Sequence, residues 1–250
     1  MTPIETSTVT FGCVFGGALG GMLLRTMLPE HHLSSETKEL VKLGVGLIGT
    51  MAALVLGLLV ASAKGSYDTR RGELTQMAAN TILLDRMLAH YGAETVEIRR
   101  GLKVAVARAL DRIWHKNGVE QSEVQARSAG EIMFDKIQEL TPRTDAQRAL
   151  QSQAESMAIS LGQTRWLLFE QSDTSISTPL LVVMVFWLSI LFLSFGLFAP
   201  RNATALITLL VSAMSIATAI FLILELDSPF SGLIQMSDAP MRNALEVLGR

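Results

Sequence analysis

The sequence of 250 residues has one cysteine, Cys13, and few aromatic residues, which make up 6% of the chain. No internal disulfide can form from a single cysteine, so the sequence gives no sign of an oxidising compartment. The net charge of −2 shows no excess of Lys and Arg, on which nucleic-acid-binding surfaces depend. We therefore expect no nucleic-acid partner.

The sequence also lacks the signatures of common enzymes. It contains no GxSxG, HExxH or P-loop pattern, and its single cysteine lies in an apolar stretch. Its His, Cys, Asp and Glu residues do not show the spacing of metal ligands. We expect a protein that is not an enzyme and that uses no metal or other cofactor.

What the sequence does have is four long apolar stretches, two near each end, around a charged middle. A bilayer's hydrocarbon core takes about 20 apolar residues in a helix. The last three stretches reach that length without one Asp, Glu, Lys or Arg, and the first is shorter and rich in glycine. We predict four transmembrane helices over Thr6–Leu24, Leu43–Ala63, Thr178–Ala199 and Ala203–Leu224.

The charged middle is helical by its pattern of apolar residues. Apolar side chains recur at three- and four-residue spacing in Glu73–Tyr91 and Thr95–His115. No alternating run of useful length indicates a sheet, so the predicted fold class is all-α. The predicted organisation is a first transmembrane hairpin (1–64), a soluble helical module (65–176), a second transmembrane hairpin (177–227) and a tail with a short helix (228–250).

Small residues recur every four positions in the first two spans. Helices in lipid associate through close backbone approach, which such residues permit. We predict that these two spans pack tightly, and the alternative is a helix that lines or moves against a narrow pathway. The helix-packing candidates are Gly12, Gly16 and Gly20, a parallel series at Gly17 and Gly21, and Gly49 and Ala53 in span two.

Three charged residues stand at one boundary of the membrane. Lys64 ends span two, and Glu225 and Asp227 end span four on the same side. Charges at that depth usually pair or line a water-filled cavity. One interpretation is an ion pair between Lys64 and Glu225 or Asp227 that clamps two helices, and the other is an ion vestibule or gate.

Three segments resemble the bacterial bestrophin-like membrane proteins. They are LGVGLIGTMAALVLGLLVASAK at 43–64, His32-Leu33-Ser34, and LDSPFSG at 226–232. The resemblance implies two spans, a helical middle and two further spans over nearly the whole chain. It also implies a remote link to bestrophins, which are pentameric anion channels whose second span lines the pore. A homo-oligomer and inorganic anions as partners follow from that link.

If span two lines a pore, heptad spacing selects its candidate lining residues. They are Thr50, Leu54, Gly57, Ala61 and Lys64. Span two has no aromatic residue, so a constriction would be aliphatic, and Leu54 could close it by dewetting. Lys64 would favour anions at the mouth.

Two functions are compatible with the sequence. The first is a homo-oligomeric anion channel with span two at its centre. The second is a non-transporting protein anchored in the membrane, whose helical module acts as a scaffold or sensor. In either case we expect a multi-pass inner-membrane protein. Lys and Arg near the spans divide evenly between the two sides. We place the module and both termini in the cytoplasm because a large charged insertion is easier to retain than to export.

Overall fold

The computed structural model describes residues 2–29, 34–115, 123–170, 176–200, 202–228, 230 and 232–249. His32, Leu33, Pro229 and Ser231, which belong to the motifs above, lie outside these residues. Every regular element within the described ranges is helical, which confirms the all-α prediction. The helices are α1 (Pro3–Met27), α2 (Ser35–Tyr91), a 3₁₀ turn (Ala93–Thr95), α3 (Val96–His115), α4 (Glu123–Gln138), α5 (Asp145–Glu170), α6 (Thr178–Phe198), α7 (Ala203–Asp227) and α8 (Ala239–Val247).

Four of these helices are long and apolar enough to cross a membrane, namely α1, α2, α6 and α7. Two lie near the N-terminus and two lie towards the C-terminus, as the sequence predicts. The sequence indicates separate helices over Leu43–Ala63 and Glu73–Tyr91, whereas the structure has one helix of 57 residues there. The stretch between them contains Gly65 and Gly72 but no proline. A glycine costs a helix about 1 kcal/mol and does not by itself end it.

The chain divides into two compact units, and each is considered by itself. The membrane unit comprises Met1–Tyr67 and Thr174–Ile234, and the polar unit comprises Asp68–Asp173 and Gln235–Arg250. The division falls inside α2, between Tyr67 and Asp68. The predicted tail, 228–250, is divided between the two units after Ile234.

The membrane unit is held together by a backbone-to-backbone contact between α1 and α6. A Cβ atom added at Gly17 would lie 2.7 Å from the carbonyl oxygen of Ser189, and one added at Gly21 would lie 2.7 Å from the amide nitrogen of Leu197. On the other side of the contact, a Cβ at Gly196 would lie 2.8 Å from the carbonyl carbon of Ala18. Only glycine fits at these three positions, and the resulting close approach is typical of helix pairs in lipid.

The predicted packing glycines of α1 lie on a different face. Within the described part of the chain, no atom comes within 4 Å of a Cβ added at Gly12, Gly16 or Gly20. In α2, a Cβ at Gly49 would meet the side chain of Leu191 at 3.7 Å, and Ala53 is exposed. The close contact in α1 therefore uses the Gly17 and Gly21 series. The role of the other series stays a prediction.

The helix ends of the membrane unit are capped by side chains. The Thr2 hydroxyl accepts a hydrogen bond from the Glu5 amide at 3.2 Å, and the Glu5 carboxylate accepts one from the Thr2 amide at 2.9 Å. The Asn202 side chain accepts a hydrogen bond from the Ala205 amide at 2.8 Å. Beyond the end of α6, the Arg25 guanidinium donates to the Ala199 carbonyl oxygen. A cation there offsets the partial negative charge of a helix C-terminus.

The polar unit is organised around a buried ion pair. Asp85 is 1% exposed, and its two carboxylate oxygens accept hydrogen bonds from Arg99 Nε at 2.8 Å and Arg99 Nη2 at 2.9 Å. This hydrogen bonding raises the pKa of Arg99 above its usual value. The Gly249 amide also donates to Asp85, at 3.3 Å. A carboxylate this deeply buried needs such partners, because burying an isolated charge is costly.

The C-terminal helix α8 packs onto this polar unit. Met241, Ala244 and Leu248 are each at most 4% exposed. Lys103 Nζ donates to the Leu248 carbonyl oxygen at 2.8 Å, which caps the end of α8. Trp114 Nε1 donates to the carbonyl oxygen of Met236, which precedes α8, at 2.8 Å. The short helix that the sequence predicts in the tail therefore completes the core of its unit.

Two glycines, one residue apart on α1, test the contact with α6. We expect Gly21→Ala to lower the free energy of unfolding by about 1–3 kcal/mol, because its methyl group overlaps the backbone of α6. Gly20→Ala should leave stability unchanged or raise it by up to about 1 kcal/mol, since its Cβ meets open space. Thermal unfolding in detergent compares them, and equal effects from both substitutions would contradict this packing.

Candidate functional site

The membrane-spanning part of α2 buries one narrow face. Ala52, Leu59 and Ala63 are at most 4% exposed and belong to the apolar core that the membrane unit builds with α1, α6 and α7. Successive residues of an α-helix are rotated by about 100°, so positions seven and eleven apart return to the same side. These three residues therefore define the side of α2 that faces its own chain.

The five candidate pore-lining residues lie on the opposite side of α2. All five are exposed, namely Thr50, Leu54, Gly57, Ala61 and Lys64. Ala61 follows the buried Ala52 by nine residues, which corresponds to half a turn at about 100° per residue. Leu54 is 75% exposed, although it lies near the middle of an apolar span. The structure thus brings the five residues onto one face, called here the open face of α2, which their own chain does not cover.

The apolar part of α2 is covered less than that of any other candidate span. In its most apolar stretch of 18 residues only 11% are buried, compared with 22% in α1, 28% in α6 and 22% in α7. An apolar surface of this kind must meet lipid or another protein rather than water. Among the four candidate spans, α2 therefore leaves the largest share of its apolar stretch unburied.

The open face of α2 mixes one bulky apolar residue with small ones. It combines Leu54 with Thr50, Gly57 and Ala61. The outward face of α7 is also mixed, since Ile207 is 58% exposed and Ser215 of the same helix is exposed as well. Small residues let the backbones of membrane helices approach closely.

At one end of the open face lies Lys64. Its ammonium nitrogen is 5.4 Å from the centroid of the Tyr67 ring, within the range of a cation–π interaction. The residue is exposed. Lys64 therefore places a positive charge at the end of the predicted pore lining.

At the end of α7, the carboxylate of Glu225 is buried and held by backbone amides. Glu225 is 2% exposed, and its Oε2 accepts hydrogen bonds from the amides of Leu233 at 2.6 Å and Ile234 at 3.1 Å. A negative charge at a helix C-terminus is unfavourable, because the last carbonyl groups carry partial negative charge. The charge-assisted hydrogen bonds from the two amides offset this unfavourable interaction between Glu225 and the end of its helix.

Gly232 allows this loop to close around the carboxylate. Its φ is +88°, a region that side chains with a Cβ rarely adopt. A Cβ atom at Gly232 would lie 2.6 Å from Glu225 Oε1 and 2.8 Å from Glu225 Cδ. Glycine is therefore required here both by conformation and by space. Gly232 is also the last residue of the 226–232 motif.

Sequence reasoning found Glu225 but assigned it a different partner. The two amides that bind it belong to Leu233 and Ile234, and backbone donors carry no signature of residue type. The turn signals after α7 were the only sign that the chain could fold back there. Asp227 is also buried, at 1% exposed. The ion pair of Lys64 with Glu225 or Asp227 stays a prediction.

Metal binding has no candidate in the described ranges of the chain. No group of three or more His, Cys, Asp or Glu residues there is placed to hold an ion. Several hydroxyl groups in the spans donate to carbonyl oxygens of their own helices, for example Ser189 to Val185 at 2.7 Å in α6 and Thr218 to Met214 at 2.9 Å in α7. Thr50 in α2 does the same, to the Leu47 carbonyl oxygen at 2.8 Å.

A comparison with known protein families identifies the family of the chain. The model of the bestrophin-like domain matches residues 12–241. The chain belongs to the bestrophin-like family. The match includes all four candidate spans in whole or large part, the polar unit except its last residues, 242–250, and both ends of the Glu225–Gly232 loop. No curated protein and no solved structure matches the chain. The resemblance seen in the sequence of this bestrophin-like protein is thus confirmed.

The loop around Glu225 generates a prediction with a matched control. Gly232→Ala should lower the free energy of unfolding by about 3 kcal/mol, since backbone strain and overlap with the carboxylate add. The control is Gly249, which has a similar φ of +84°, but where an added Cβ would come no closer than 3.9 Å to the Lys103 side chain. Gly249→Ala should lower the free energy of unfolding by only about 1–2 kcal/mol. Thermal unfolding in detergent measures both changes.

Removing the Glu225 carboxylate separates the effect of backbone strain at residue 232 from the effect of overlap with the carboxylate. In a Glu225→Ala background, Gly232→Ala should cost no more than the backbone strain alone, because the overlapping group is gone. Additive effects of Glu225→Ala and Gly232→Ala would show that the two residues do not interact.

Proposed function

We propose that this bestrophin-like protein is a homo-oligomeric anion channel in which α2 lines the pore. The observation that carries the proposal is the open face of α2, whose five residues are exposed on the candidate span with the smallest buried share. Four spans cannot enclose a pathway alone, so several copies must surround it. Membership of the bestrophin-like family supports the same arrangement.

The residues of the open face suggest how such a pore would work. Gly57 and Ala61 leave space beside the helix, and Leu54, the one bulky apolar residue of the face, would form a constriction that closes by dewetting. Lys64 would raise the local concentration of anions at the mouth.

We also propose that the protein performs no catalysis. An intramembrane enzyme would need paired ionisable groups within its spans, and the four apolar stretches contain none. The candidate role is therefore passage of an ion rather than conversion of a substrate.

The second candidate function is a non-transporting scaffold or sensor. It is favoured by the polar unit, which has its own buried ion pair and apolar core. In that case lipid alone would cover the open face of α2, and the polar unit would bind a partner. The two functions differ in whether the purified protein passes ions.

Halide flux into liposomes tests the channel. We expect the purified protein to pass chloride, and Gly57→Trp to abolish the flux, because an indole on the open face would fill the pathway. No described atom lies within 4 Å of a Cβ at Gly57, so the substitution should not disturb the fold of the subunit.

Gly44→Trp provides the matched control on the same helix. Its Cβ also meets open space, but Gly44 is rotated by about 140° from Gly57 around the helix axis. Flux should persist in Gly44→Trp. Absence of flux in the unmodified protein over a range of pH and halides would overturn the channel proposal in favour of the scaffold.

We propose that both termini and the polar unit are cytoplasmic. The reason is the cost of exporting a large charged segment, because Lys and Arg near the spans divide evenly. A reporter that is active only in the cytoplasm, fused after residue 250, should be active. Activity of a reporter that functions only outside the cytoplasm, fused at the same place, would reverse the orientation.

A further inference from the structure

The polar unit contains an uncharged groove between α2 and α5. Its volume is about 400 Å³, which falls in the range of small-molecule sites. On α2 successive lining residues are four and seven positions apart, and on α5 they lie within two turns, between 153 and 160, so each set lies on one side of its helix. They are Gln76, Asn80 and Met87 on α2, and Gln153, Ser156, Met157 and Ser160 on α5.

At the base of this groove lies a buried carboxamide. Asn80 is 7% exposed, and its Oδ1 accepts a hydrogen bond from Gln76 Nε2 at 2.9 Å. Within the described part of the chain this is the only hydrogen bond of the Asn80 side chain, so its amide nitrogen remains available as a donor. Asn80 lines a space that a ligand can enter, so this nitrogen can donate to a ligand there.

The other lining groups define the chemistry of that ligand. Gln153, Ser156 and Ser160 offer further donors and acceptors, and two methionines provide apolar walls. None of the seven lining residues carries a charge, so a charged ligand would gain no ion pair there.

We propose that the groove between α2 and α5 binds a neutral polyhydroxylated ligand of the sugar or polyol class. Hydroxyl groups both donate and accept hydrogen bonds, as the carboxamides and serines require. The apolar face of a sugar ring matches the methionine side chains. This site lies wholly within the polar unit and does not depend on whether α2 lines a pore.

Glucose binding to the full-length protein in phospholipid nanodiscs tests the proposal. Detergents with maltose head groups must be absent, since they present the same chemistry. Titration followed by NMR should give saturable binding with a Kd of about 1–10 mM. Glucuronate and glucosamine, which add a negative or a positive charge, should bind no more tightly than glucose.

Two substitutions on α5 locate the binding. Gln153→Leu removes an exposed groove residue and should weaken glucose binding about tenfold, the equivalent of one lost hydrogen bond. Gln163→Leu makes the same change at an exposed position outside the groove and should leave the Kd unchanged. The proposal is overturned if glucose does not bind, if a charged analogue binds more tightly, or if both variants behave alike.

Discussion

The contact between α1 and α6 is the interaction on which the membrane unit depends. It joins the first span of the chain to the third across more than half of the sequence, and it does so through backbone atoms at Gly17, Gly21 and Gly196. In a bilayer, apolar side chains gain little by leaving lipid for another helix, so close contact of this kind supplies much of the association. Leu191 of α6 also lies 3.7 Å from a Cβ added at Gly49 of α2, and both helices contribute residues to the same apolar core.

The bilayer also constrains how polar groups are used. Hydroxyl groups within the spans donate to carbonyl oxygens of their own helices, and Arg25 caps the end of α6. At the other end of the hairpin, the buried Glu225 carboxylate is satisfied by a returning loop that only Gly232 can close. These polar groups of the membrane unit are thus bonded within its own structure, whereas the open face of α2 is exposed.

Much of the fold can be predicted from the sequence because the strongest signals are long and apolar. The four spans follow from length and the absence of charge, whereas the continuity of α2 does not, since Gly65 and Gly72 resemble a boundary. Both glycine series of α1 are visible in the sequence, but spacing alone does not reveal that Gly17 and Gly21 are the ones that meet α6. The amides that hold Glu225 are hidden for another reason, because backbone donors have no residue signature.

At the candidate site too, sequence spacing predicts which residues share a face but not what contacts that face. Heptad spacing placed Thr50, Leu54 and Ala61 on one face, and the structure leaves that face exposed. What covers it depends on other molecules, which a single chain does not contain. The mass of the assembly in lipid nanodiscs, measured by native mass spectrometry, addresses this most directly. A single closed assembly at a multiple of the 27.2 kDa subunit mass is the predicted result, and a species of 27.2 kDa alone would contradict a pore built from several copies of α2.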